Sequence, residues 1–390
     1  MRVSRREWLL GALSLPAFAG KPKPERPNLL LILPDSLPAW MLGSYGNKVV
    51  RTPNLDRLAQ TGTRMLRHFA CTAAPGPGRA TLLTGRTPMQ LGDGAEAPSS
   101  GTLAAALAPA GYAVENGDVA GAARFVEAYT PGKPFFFTAA FPALQPPYEV
   151  AARYRELYAR ESFDSFNLER TPAQNARAGK DLLSDVVGNV RNAAAAVTAF
   201  DDGVAAVLSA VSRKKLLDNT LVVVASASGA LLGRHGLWDS GDASDPPNFY
   251  DEVIATPLIL SWLGRVPAQA TRPEMVSAYD FVPTICDLTG VSVPAPNPCG
   301  RSWWPLVTGK PLPKKQPWHT TVFAHYRNGD MARTDRYKLV LRDDGKGPAE
   351  LYDVVADPDE KTNQYANQQF LSVRTSLSQA LSGWKQRYSK

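Results

Sequence analysis

The stretch Asn28–Ser36, "NLLLILPDS", decides the fold. Leu29 to Leu33 run without polar interruption until Pro34. A short apolar run lacking alternation suits a strand covered on both faces, as in parallel sheets. Downstream, "TPNLDRLAQTG" reads as a helix, with Thr52 as N-cap, Pro53 at the first position and Gly62 as the stop. "TLLTG", "GTLAAALAPAGYAV" and "PFFFTAAF" continue the alternation of helices and buried strands. Val197, Phe200, Val204, Val207, Leu208 and Val211 then fall at helical spacing, and "NTLVVVASAS" follows as another buried strand. This alternation predicts an α/β fold with a large doubly wound sheet flanked by helices. Its ligands would bind beyond the C-terminal strand ends, here Pro34–Ser36 and Ala225–Gly229.

Beyond residue 310 the texture changes. "TVFAHYRNGDMARTDRYKLVLRDD" alternates apolar and polar residues around turn signals, which reads as an antiparallel meander. "NQQFLSVRTSLSQALSGWKQR" closes the chain as an amphipathic helix. The expected organisation is an export signal at 1–20, a stiff linker at 21–27, an α/β domain at 28–310 and a small α+β subdomain on an antiparallel sheet at 311–390.

The first twenty residues, "MRVSRREWLLGALSLPAFAG", combine a charged start, a short apolar run and an Ala-Phe-Ala ending. That layout is a cleavable secretory signal, too short in its apolar part to span a bilayer. Ser4 to Leu10 looks like the bacterial twin-arginine signal. A periplasmic or extracellular location follows, with no membrane span after cleavage. The signal carries three arginines and one glutamate, so its removal lowers the formal charge from +7 to +5. The remaining excess is spread out, which argues against a nucleic-acid partner. Cys71, Cys286 and Cys299 have no CxxC spacing, and Cys286–Cys299 is the favoured pair should a disulfide form.

"CTAAPGPGRATLLTGR", Cys71–Arg86, is a Gly- and Pro-rich turn running into a helix. Such a helix start offers backbone N–H groups and a positive dipole end to an anion. Gly76, Gly78 and Arg79 are the anion-binding candidates.

Eight segments together, among them "RPNLLLILPDSLPAWMLGSYGN", "PGRATLLTGR", "DNTLVVVASASGALLGRHGLW" and "YDFVPTICDLTG", resemble successive blocks of the sulfatase family, in the alkaline-phosphatase superfamily. They keep the family's order from Arg26 onward. The resemblance implies a mixed ten-stranded-type sheet and a small C-terminal antiparallel domain. It also implies a cysteine or serine in a C/S-x-P-S-R motif, oxidised to formylglycine, whose hydrate attacks a sulfate ester on a calcium ion.

Several positions depart from that pattern. The nucleophile falls on Pro75 and the motif serine on Gly78, while Pro77 and Arg79 match. Proline cannot become formylglycine, so no catalytic residue is assigned. Cys71 lacks the motif context, and Thr72 is the nearest hydroxyl. The family's Asp-Asp is Asp35-Ser36, and its second metal pair falls on Ala227 and Ser228. Asp35 is the one surviving metal-ligand position, too few for calcium, so no cofactor is expected. Gln145 replaces a sulfate-binding histidine, Ser240 replaces a lysine, and a "GKWHLG"-like block is missing. His235 sits at a family-like position, whereas His68, His319 and His325 match none. These losses predict a pseudosulfatase, with sulfated or anionic polysaccharide as its expected partner. Two other readings stay open: a hydrolase with relocated residues, drawing on Asp239, Asp242 and Asp245, and a non-enzymatic partner of an active sulfatase or surface complex.

Overall fold

The computed structural model describes residues 26–389, except 93, 95–97, 99, 142–143, 178, 296 and 313–316. The expected export signal at 1–20 lies outside the described residues. Eleven strands form two sheets among those described. The large sheet holds β1 Asn28–Pro34, β2 Thr63–Phe69, β3 Ala113–Asp118, β4 Phe135–Phe141, β5 Thr220–Ala225, β6 Ala255–Ser261 and β7 Ala270–Ser277, in the order β3-β4-β1-β5-β6-β2-β7. β1 runs parallel to both β4 and β5, whereas β6 is antiparallel to β5 and β2. The sheet is therefore mixed, and narrower than the ten-stranded type the resemblance implied.

Every residue of β1 is buried, as a central parallel strand requires. Leu30 and Ile32 face one hydrophobic cluster and Leu29, Leu31 and Leu33 the other, so alternate residues serve the two faces. At about 1.5–3 kcal/mol per buried aliphatic side chain, this strand alone anchors both layers. The helices on one face include α1 Pro53–Gln60, α3 Val119–Ala128 and α4 Val186–Arg213. α2 Pro75–Thr84, α5 Phe281–Thr289 and α6 Leu371–Tyr388 add to the other cluster through Leu82, Ile285 and Leu381. α4 is long and apolar enough to cross a membrane by composition, yet Val190, Ala194, Phe200 and Val207 are core residues beneath the sheet.

The cap of α1 differs from expectation. Thr52 precedes the helix but makes no capping bond; its hydroxyl accepts the Gly43 N–H at 2.9 Å and donates to Asp56 at 3.2 Å. The free N–H groups of Asn54 and Leu55 instead donate to Asp201 of α4, at 3.1 and 2.7 Å. A buried carboxylate from another helix satisfies the orphan donors and complements the dipole. Packing of α4 on α1 brings it there, and the local sequence carries no sign of it.

Strands β8 Val322–Tyr326, β9 Gly329–Arg333, β10 Tyr337–Arg342 and β11 Glu350–Asp353 form the antiparallel meander. It shares a hydrophobic cluster with the large sheet: Leu31, Leu339 and Trp384 belong to one group. Buried charges tie the two further. Lys338 of β10 is fully buried, with Nζ 2.8 Å from Asp251 and 2.5 Å from Glu360, while Arg333 of β9 lies 2.7 Å from Asp251. Burial pushes the Glu360 carboxyl up to about 8, against the pull of Lys338. Lys338 and Arg333 hold Asp251 well below the usual carboxylate range despite its burial.

Lys338→Met is expected to lower stability by about 3 kcal/mol or more in chemical denaturation, because two buried carboxyls lose their common cation. Glu360 binds its proton more tightly folded than unfolded. Its stabilising contribution is therefore complete below the ordinary glutamate value and lost as pH rises through about 8. Glu360→Gln is expected to remove that part of the decline in thermal midpoint between about pH 5 and 8.

Candidate functional site

The ends of β1 and β5 lie side by side, and the chain beyond them stays paired. The Ala227 N–H donates to the Pro34 carbonyl at 3.2 Å, the Ser228 N–H to Asp35 at 3.0 Å and the Leu37 N–H to Ser228 at 3.0 Å. Hydroxyls fill in around this seam. Ser226 Oγ accepts the Leu37 N–H at 2.9 Å, Ser228 Oγ donates to the Asp35 carbonyl at 3.1 Å, and Ser36 Oγ lies 3.3 Å from Ser228 Oγ. Gln145 reaches Ser36 Oγ from the other side at 3.5 Å. Positions spread from 35 to 228 thus meet at the carboxyl ends of adjacent parallel strands, where α/β sheets place ligands.

α2 covers this seam. It begins at Pro75 itself, and Gly85 closes it in the left-handed conformation, φ 71°. A Cβ at Gly78 would stand 2.2 Å from the Ala227 carbonyl oxygen, whereas one at Gly76 would meet nothing within 4 Å. Position 78 must therefore be glycine in this packing. The third side is the segment after Trp238: the Gly241 N–H donates to the Ala73 carbonyl at 2.8 Å.

Arg79 projects from the first turn of α2, and its Nη1 bonds Asp35 Oδ1 at 2.5 Å. Their side chains are 28% and 16% exposed, so the ion pair is shielded without being sealed. The helix start is a sparser anion cradle than a typical one. Pro75 and Pro77 have no N–H, and the Gly78 N–H already bonds the Ala74 carbonyl at 3.0 Å. Gly76 supplies the remaining first-turn donor, and Gly78 serves as a packing position.

The residues do not fit the calcium that the family resemblance implies. Such an ion needs six to eight oxygen ligands, several of them carboxylates. Here one carboxylate, Asp35, shares an oxygen with Arg79, and the neighbouring hydroxyls bond one another. Among the described residues no three His, Cys, Asp or Glu side chains are grouped to hold a metal.

Cys71 is fully buried, and burial pushes its thiol up to about 12, which keeps it protonated and unreactive. All three cysteines are free, so the favoured Cys286–Cys299 pair does not form: Cys286 Sγ faces the Ser292 carbonyl at 3.7 Å and Cys299 Sγ accepts the Trp384 indole N–H at 3.1 Å. Thr72 is fully buried. The aspartates of the "WDSGDASDPP" loop do not converge: Asp242 binds Tyr326 at 2.5 Å and Arg327 at 3.0 Å, and Asp245 is exposed. Asp239 is partly buried, which raises its carboxyl.

The four histidines are dispersed. Burial depresses His68 to about 4, and its Nδ1 lies 2.8 Å from Thr256 Oγ1. His325 lies 2.7 Å from Asp330, and His319 lies 3.6 Å from Asp280. His235 stacks on Tyr250 at 3.8 Å and stands 3.4 Å from Glu252, which Arg234 also binds at 2.9 Å. Burial opposes the Glu252 charge, yet His235 and Arg234 hold that carboxyl down at about 2. The Glu252 cluster and Ser226 had no distinctive spacing by which the sequence could reveal them.

Comparison with known proteins places the fold. The sulfatase family model matches residues 27–118 and 119–291, and the model for the C-terminal part of N-sulphoglucosamine sulphohydrolase matches 233–387. The chain belongs to the sulfatase family. An N-acetylglucosamine-6-O-sulfatase of Bacteroides thetaiotaomicron is 25% identical, covering 97% of this chain and 90% of that protein. Matches to mouse steryl-sulfatase are confined to 113 residues at 42% identity, 25% of this chain and 18% of that one. A solved structure described in complex with its substrate D-glucosamine-2-N,6-O-disulfate superposes with TM-score 0.82 at 20% identity, covering 93% of this chain and 98% of the other. A phosphonate monoester hydrolase of Agrobacterium radiobacter gives TM-score 0.79 at 20% identity, covering 93% and 96%.

The packing around α2 sets an expectation for two neighbouring glycines of one turn. Gly78→Ala is expected to destabilise the sulfatase-family chain by about 1–3 kcal/mol, since backbone must move to admit the methyl. Gly76→Ala, with open space beside it, is expected to be neutral or stabilising by up to about 1 kcal/mol. Thermal unfolding of the two variants checks the contrast.

Proposed function

We propose that this chain is a sulfatase-family protein that holds a sulfated saccharide without hydrolysing it. The observation that carries the reading is the composition of the seam at the ends of β1 and β5. The position matched to the family's nucleophile is Pro75, the helix opens there, and the surrounding carboxylate positions are Ser36, Ala227 and Ser228. Sulfate-ester cleavage needs a nucleophile and positive charge focused on the developing oxyanion. The residues at this place offer no nucleophilic atom at the matched position, Pro75, and among the described residues no metal cage. What they retain is one free helix-start N–H at Gly76 and the Arg79 guanidinium, whose negative partner Asp35 leaves the pair neutral overall. A charge-neutral, shielded notch supports weak recognition of a sulfate group.

The ligand class follows from the relatives that align over nearly the whole chain, which are named for sulfated glucosamines. Export to the periplasm or beyond is part of the same proposal, resting on the Arg-rich, short apolar opening of the sequence.

Purified protein incubated with N-acetylglucosamine-6-sulfate and with an aryl sulfate is expected to release no sulfate above background by ion chromatography, with or without added calcium. Calcium-dependent turnover would overturn the reading. Calorimetric titration with the same sugar sulfate is expected to show binding that Arg79→Ala weakens by roughly tenfold, the size of one charge-assisted contact. Equal binding by both proteins would remove the site from this notch.

A further inference from the structure

A cavity of about 480 Å³ opens between the segment leading into α5, the start of β8 and the last turns of α6. Pockets of this size hold small organic ligands. None of the residues of the Asp35–Arg79 site lines it.

Its walls differ in kind from that notch. Phe323 and Trp384 stack at 5.2 Å with an interplanar angle of 8°, and Tyr279 and Tyr388 extend the aromatic lining. Three cationic or donor groups stand among them: Arg301, Arg387 and His319. Among the described residues no carboxylate forms an ion pair with either arginine. Arg301 stacks over Trp318 at 4.8 Å and gives one N–H to the Pro317 carbonyl at 2.9 Å, which fixes its plane and leaves other donors over.

The one acidic wall residue, Asp280, is already engaged. It is 1% exposed, and its two oxygens accept the N–H groups of Ser277 at 2.9 Å and Arg301 at 2.8 Å. His319 Nε2 approaches it only to 3.6 Å and is buried without a hydrogen-bond partner. A buried polar atom left unpaired costs free energy that a bound acceptor would recover. Donors therefore exceed acceptors at this cavity, beside flat apolar surface.

We propose that this cavity binds a small organic anion, a carboxylate or sulfate group carried on a ring. The guanidinium groups and His319 meet the anion, and the aromatic wall covers the ring face. Carboxylate and sulfate share this chemistry, and the probes below separate them as well as the kind of ring.

The test is calorimetric titration of the whole chain with benzoate, glucuronate and glucose 6-sulfate, against benzyl alcohol, glucose and inorganic sulfate. At least one ring-bearing anion is expected to bind, with its neutral counterpart and inorganic sulfate at least roughly tenfold weaker. Arg301→Gln/Arg387→Gln is expected to weaken binding roughly tenfold or more, and Arg387→Gln, altering an exposed side chain, gives a reduced effect in a chain that folds normally. Arg79→Ala, at the other site, is expected to leave benzoate and glucuronate binding unchanged, and glucose 6-sulfate, which the notch also takes, is scored in the Arg79→Ala background. The proposal is overturned if no ring-bearing anion binds, if the arginine variants bind as tightly as the parent, or if the loss of benzoate or glucuronate binding appears in Arg79→Ala instead. The last outcome would also leave the notch reading intact, so the two proposals fail separately.

Discussion

At residue 78 the first turn of α2 lies against Ala227 with no room for a side chain, a Cβ there standing 2.2 Å from a carbonyl oxygen. Much of the site follows from that approach. The turn after β5 can come so close because Ala227 and Ser228 are small, and the seam it forms with Asp35 and Ser36 is closed by backbone and hydroxyl bonds. Arg79 is carried into reach of Asp35, and the two charges satisfy each other. An ion pair costs desolvation, so it persists where it is shielded but still partly wet, as here. At the strand ends where α/β sheets place ligands, this packing closes the seam.

Buried polar groups elsewhere obey the same economy of pairing. Asp201 is fully buried, yet its carboxylate accepts two backbone N–H groups and the Asn54 amide. Burial still raises this carboxyl above its ordinary value, with those bonds opposing the push. Lys338 lies between Asp251 and Glu360, so the meander is tied to the large sheet by charge as well as by apolar contact. Each cluster joins elements far apart in sequence, which makes it a lock on tertiary arrangement. Breaking one partner leaves a buried group without solvent or counterpart.

A shared fold does not carry a site with it, so the framework and the residues at its strand ends answer to different constraints. Its match to sulfatases runs across both sheets, and the framework of central parallel strands and helices is kept because burial on two faces demands it. The functional positions on that framework are supplied by strand ends and loops, which packing leaves free to vary. The donor-rich cavity beside α6 is built likewise, from connecting segments and a helix end held by the two sheets.

What the sequence determined by itself is local and periodic. The run Leu29–Leu33 specified a buried strand, Pro53 and the stop at Gly62 bracketed α1, and the spacing from Val197 to Val211 marked α4, because burial imposes its pattern on each element. The absence of a nucleophile side chain at Pro75 was also legible there, since no fold can supply an atom the residue lacks. The tertiary structure alone decided which polar groups meet. Asp201 rather than Thr52 caps α1, Arg79 pairs with Asp35, the three cysteines stay apart, and Arg301 and Arg387 lack carboxylate partners among the described residues. Hydrophobic spacing repeats within a few residues and can be read along the chain. Hydrogen bonds and ion pairs reach only a few ångströms, so their partners are chosen by whichever elements packing brings together.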